Sequence, residues 1–159
     1  MTNHRLPIFE SISAVIAVGL VSAFIALPTS TQLANMDQDV HDRLGLMRTG
    51  VFQFSMEHNS LDGSQFPSAA EFDAQLSGRS RSDGTTFEST TGREDRWYGP
   101  YLKAVPHNPL NNLNTVFFLE EDQEPKPTGG FGWIYKPSTG ELWVDIPGAD
   151  VRGVRYADY

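Results

Sequence analysis

The chain has 159 residues, 39% of them hydrophobic and 20% charged, which fits one folded domain with an appendage rather than two cores. Twelve Lys and Arg against twenty Asp and Glu leave a net charge of −8. That argues against a nucleic-acid binder, whose phosphate contacts need a clustered positive surface. With no cysteine, disulfides, thiolate metal sites and cysteine nucleophiles are excluded as well.

The charge is unevenly placed. Residues 1–33 carry only Arg5 and Glu10 and are neutral, so the whole −8 belongs to residues 34–159. The sequence therefore divides into an apolar N-terminal arm, 1–33, and an acidic head, 34–159. Between Glu10 and Pro28 the chain has no charged residue, and Ile8 and Phe9 extend this span to about 20 residues, roughly 30 Å as a helix, the thickness of a bilayer core. Ser11, Ser13 and Ser22 can return their hydroxyls to the helix backbone. A transmembrane helix is the expectation. A cleaved secretory signal fits less well, because Glu10 interrupts its start and Phe24-Ile25-Ala26 is a poor cleavage site. An in-plane helix would need a polar face, which the span lacks. Glu10 itself either enjoys the positive end of the helix dipole or carries function, since carboxylates at membrane depth are costly unless paired.

Beyond Pro28, Leu33, Met36, Val40, Leu44, Met47, Val51 and Phe54 recur every three or four residues and predict one apolar helical stripe. Asp37, Asp39, Asp42, Arg43, Arg48 and Glu57 are expected on the solvated face, and Asn59-Ser-Leu-Asp-Gly63 should end the helix. Pro28 is expected to kink a helix that continues through it. Ser68 to Leu76 reads as a short helix with Ser68 as cap, Glu71 completing a capping box and Gly78 at the end. Residues 78–96 read as a loop. Thr115–Leu119, Gly132–Tyr135 and Glu141–Ile146 are short strands, the last two joined by the turn Lys136–Gly140 into an antiparallel hairpin. The expected fold is α+β: a long N-terminal helix, transmembrane in its first half and amphipathic in its second, on a small antiparallel sheet.

Catalytic signatures are not found: no Gly-x-Ser-x-Gly elbow, phosphate loop, dinucleotide glycines or His-Glu-x-x-His. Asp37 and His41 share a helix face but make only two ligands. Glu94 and Asp95 near Trp97 carry little weight as paired carboxylates. The aromatics of 97–143 suit a sheet's core face and cross-strand pairs better than a binding platform.

The order of parts resembles the type IV pilin superfamily, most closely the major pseudopilin of type II secretion systems. The resemblance rests on Ile8-Phe9-Glu10 with Gly19 and Ala26-Leu27-Pro28, on Leu46–His58, and on Phe66-Pro67 with Phe72–Leu76. Gly99–Pro109 and Gly132–Glu141 complete it. Arg5 stands where the family's leader has a glycine. The resemblance implies a pilin-like fold and a non-enzymatic, cofactor-free structural subunit anchored in the bacterial inner membrane, its head on the periplasmic or outer side. Its partners would be the lipid bilayer, copies of itself in a helical filament, other pseudopilins and inner-membrane assembly components. The early glutamate, here Glu10, would meet a neighbouring N-terminal amine, and Pro28 would shape the arm. The family's tendency to hold calcium near the C-terminus points to Asp145, Asp150 and Asp158, or to Glu120–Glu124, but neither stretch has the spacing of a calcium loop, so no metal is assigned. The alternative is a membrane-anchored periplasmic binding module that does not polymerise.

Overall fold

A 28-residue helix, α1 (Ser30–Glu57), carries the predicted stripe. It belongs to a computed structural model that describes residues 28–59, 65–86 and 96–159; the arm preceding Pro28, and Glu10 with it, lies outside them. Val40, Leu44, Met47, Val51 and Phe54 are all 2% exposed or less, so four turns of α1 bury one face. Each such side chain contributes roughly 1.5–3 kcal/mol.

The start of α1 differs from expectation. Pro28 does not sit in a helix: it is exposed, and Thr29 is extended with ψ 160°. Thr29 caps α1 instead. Its hydroxyl accepts from the Gln32 amide at 3.3 Å, and the Gln32 side-chain oxygen accepts from the Thr29 amide at 2.8 Å. This reciprocal box is written in Thr29-Ser-Thr-Gln32. The helix also ends before Asn59, with His58 as its cap.

Helix α2 (Phe72–Ser77) is shorter than the expected Ser68–Leu76 segment. The Ser68 hydroxyl does accept from the Glu71 amide at 3.2 Å, but the Ser68 amide donates to the Gln75 side chain, where Glu71 was expected. Gln75 is buried and also donates to the Gly84 carbonyl, so it ties the entry of α2 to the following loop.

Among the described residues the sheet has three strands in the order β1 (Val116–Phe118), β2 (Trp133–Lys136), β3 (Glu141–Val144). The β2–β3 hairpin is antiparallel as expected, with Trp133 opposite Val144 and Tyr135 opposite Leu142. Gly140 (φ +73°) closes its turn against Phe66, whose ring leaves no room for a Cβ. The expectation of an antiparallel sheet needs correction, because β1 pairs parallel with β2 and the sheet is mixed. The 14 residues between β1 and β2 let the chain return to pair in the same direction, which a tight hairpin could not do.

The fold is α+β, with α1 and α2 packed on one face of this sheet. Trp133, Tyr135, Leu142 and Val144 meet the α1 stripe, Phe72, Leu76, Leu102 and Val105 in one core. The expected core role of Trp133 and Tyr135 holds, since both are fully buried. Gly50 lets the 99–105 loop approach α1, for a Cβ there would stand 3.1 Å from Leu102.

Candidate functional site

Of the two residues assigned to assembly, only Pro28 is among the described residues. Glu10 lies outside the described residues, and Pro28 stands exposed at the foot of α1. From Ser30 to Asn35 every residue of α1 is exposed. The first turn and a half therefore projects past the head before the stripe finds its partner surface.

Asp37 is where the helix and the C-terminal segment first meet, and it is not on a solvated face as expected. It is 6% exposed. Its carboxylate accepts from the Tyr156 hydroxyl at 2.6 Å and from the Val151 amide at 3.0 Å. The stripe pattern alone could not find this, because the donors come more than 110 residues later in the chain. His41, one turn on, makes no ion pair with it and instead lies edge-on to Tyr159 at 5.7 Å.

Asp150 organises that C-terminal segment. Its side chain is fully enclosed and bound by the Arg152 guanidinium at 2.8 Å. It also accepts from the amides of Arg152 and Val154 and from the Tyr159 hydroxyl, each at 2.8 Å. Desolvation pushes its carboxyl up, but the Val154 amide, Tyr159, Arg152 and the Arg152 amide together outweigh it and hold the group at about 2. Tyr159 is pushed up to about 12 by burial and by its bond to Asp150. Arg48 completes the clamp from α1, donating to the carbonyls of Tyr159 at 2.6 Å and Leu142 at 2.7 Å.

The aspartates among the calcium candidates are bonded within the protein. Asp150 spends its oxygens on protein donors, and Asp158 pairs with Arg155 at 2.7 Å. Asp145 is 1% exposed and accepts from the amides of Thr128 and Phe131 and from the Thr128 hydroxyl. Glu120 to Glu124 stay on an exposed turn. Among the described residues no group of three or more His, Asp or Glu is placed to hold a metal ion.

A second polar cluster closes the other end of α1. His58 is 3% exposed; its Nδ1 lies 2.8 Å from the Phe54 carbonyl and its Nε2 2.8 Å from the Ser80 hydroxyl. A carbonyl can only accept, so Nδ1 carries the proton and Nε2 accepts from Ser80. The ring stacks on Phe54 at 3.7 Å. Burial holds its pKa below the usual value, against the opposing pull of the Phe54 carbonyl, Glu57 and Asp83. Tyr101 donates to Glu57 at 2.6 Å and is pushed up by burial and by that carboxylate. The Ser–His pair resembles a nucleophile and its base, but Ser80 is fully buried and unreachable by a substrate. The cluster fastens the helix end to the bridges that Ser80 makes with Thr86 and Tyr98.

Comparison of the chain with protein-family models, with curated proteins and with solved structures finds no match. Among the described residues no helix is long and apolar enough to cross a membrane; the apolar span 8–27 lies outside them.

Proposed function

We propose that the chain is a non-enzymatic structural subunit of a pseudopilus or type IV pilus-like filament serving protein secretion. Residues 1–33 hold it in the inner membrane until assembly, with the head on the periplasmic side. The observation that carries this reading is the change of surroundings along α1. Its stripe is buried from Val40 to Phe54, while Ser30–Asn35 is exposed and continues in sequence from the nearly uncharged arm. A helix that begins outside its own domain presents that end to something else, and an arm with almost no charge prefers lipid or other arms to water. In the filament the arms pack together and the acidic heads face solvent. Glu10 in that dry core is tolerable only when paired, and the pairing selects the register that supplies a neighbouring amine.

Two measurements test this. Replacing Glu10 with Ala should leave the head folded and abolish filaments; unchanged filament yield would sink the assignment. The intact mass of the chain from its native membrane discriminates the fates of the arm. Loss of about five residues supports pilin-type processing, and loss of about thirty indicates a signal peptide. An intact chain that forms no filaments favours the static membrane-anchored module.

A further inference from the structure

The two edges of the sheet are treated differently. On the outer edge of β3 one outward group, the Leu142 carbonyl, is taken by Arg48, which lays a side chain of α1 across that edge. Strand β1 has no such cover among the described residues. The Trp133 amide donates to the Thr115 carbonyl at 3.1 Å, and the Leu119 amide donates to the Tyr135 carbonyl at 2.9 Å. With Phe117 opposite Ile134, residues 115, 117 and 119 turn their backbone groups toward β2. Val116 and Phe118 therefore present theirs outward, and no described residue bonds to them there. An exposed row of this kind is a template for another strand.

A cavity of about 380 Å³ flanks this edge, within the range of small binding sites. It opens between Ala69, Ala70 and Phe72 at the start of α2 and Val116 and Phe118 of β1. The Phe118 ring meets Phe72 edge-on at 5.6 Å and forms the inner wall. On the opposite face Phe117 is 40% exposed and leans on Phe131 at 5.2 Å. The helical layer thus ends short of β1, leaving a slot beneath the free edge and an aromatic shelf above it.

We infer that β1 is a docking edge for an extended, basic peptide of another protein. The peptide adds a fourth strand, sets an aliphatic side chain into the cavity and rests the alternate side on Phe117. β-Augmentation takes affinity from main-chain bonds and selectivity from pockets for alternate residues. Charge decides the occupant. Asp73 lines the cavity and β1 runs into exposed Glu120, Glu121 and Asp122, against Lys103, the neighbour of Ala104 in the lining, and Lys136, which donates to the Gln123 carbonyl at 3.1 Å. A second copy of this chain, at −8, meets repulsion there, whereas a basic strand is attracted. The inference stands apart from the filament reading, since it concerns the head's sheet and uses nothing of the arm.

The test uses the full chain in detergent micelles and an octapeptide of alternating lysine and valine. Hydrogen exchange at the Val116 and Phe118 amides should slow at least tenfold at saturating peptide. The fully N-methylated peptide should give no slowing, and a glutamate–valine octapeptide should bind at least tenfold more weakly. Val116→Pro removes an outward amide while sparing the β1–β2 bonds and should abolish protection at Phe118. Ala70→Trp, at an exposed position, should block the cavity without touching the strand. No slowing by the lysine–valine peptide, equal slowing by the N-methylated one, or undiminished slowing in Ala70→Trp overturns the docking edge. Equal binding of the acidic peptide overturns the basic occupant.

Discussion

From Val40 to Phe54 every apolar residue of the α1 stripe is buried, whereas Leu33, two turns earlier on the same stripe, is 36% exposed and Met36 is only partly covered. The sequence period does not change between the two regions. What changes is whether a partner surface exists: the sheet and the 99–105 loop reach only the later turns. Periodicity reports which side of a helix is apolar, not where along the helix the apolar side finds something to touch.

The sharpest way to break this comparison is to delete the anchor of the covered end. Phe54 is fully buried and stacks on His58, so Phe54→Ala should cost about 3–5 kcal/mol and unfold much of the head at ambient temperature. Urea unfolding followed by tryptophan emission measures it. A loss of under about 1 kcal/mol would mean that the buried face of α1 is not what holds the head together.

Asp37 marks the boundary between the two regions. Asp37→Ala strands the Tyr156 hydroxyl and the Val151 amide, at a cost of about 1–3 kcal/mol. Asp39→Ala, two residues on and exposed, should stay within about 0.5 kcal/mol. Equal effects would show that the C-terminal segment does not depend on its bond to α1.

Acid provides a milder probe. Burial keeps the His58 pKa below its unfolded 6.5, against the attraction of Glu57 and Asp83, with the phenols of Tyr98 and Tyr101 close by. The folded state therefore binds its proton less readily than the unfolded one. Stability present above pH 6.5 should decline as the pH falls through the folded value. Asp150 acts lower down. With its folded pKa at about 2 against 3.8, its contribution is present above about pH 4 and is lost as the pH falls towards 2. Urea midpoints between pH 8 and 5 should thus slope downward in the parent and flatten in His58→Gln. The same slope in both would remove His58 as the cause.

Much of this was legible in the residues, and the failures are instructive. The α1 stripe and the β2–β3 hairpin came from local signals, a 3.6-residue period and the turn at Lys136–Gly140. The helix start was equally local, since the capping box of Thr29-Ser-Thr-Gln32 begins α1, but the uncharged run before Pro28 is itself a helical signal that masks it. Three features had no local signal. The parallel β1–β2 pairing joins residues about 17 apart, the burial of Asp37 depends on donors at 151 and 156, and Gln75 takes the Ser68 amide that Glu71 was expected to hold. The first two are contacts that the chain makes only after folding has brought separate segments together; the third spans only seven residues, but which side chain reaches the Ser68 amide depends on how the entry of α2 turns.

The smallest expected effect is the most discriminating for function. Leu33→Ala removes an apolar side chain that is more than a third exposed, and alanine favours the helix slightly. The urea midpoint of the head should therefore barely move, with a change within about 0.5 kcal/mol. If the overhanging end of α1 meets a neighbouring subunit, the same substitution lowers the yield of sheared filaments, because a surface idle in the isolated head is then buried in the assembly. Loss of filaments without loss of stability separates a surface kept for a partner from one the head merely leaves uncovered. Loss of both would place Leu33 inside the head's own packing, contrary to its exposure.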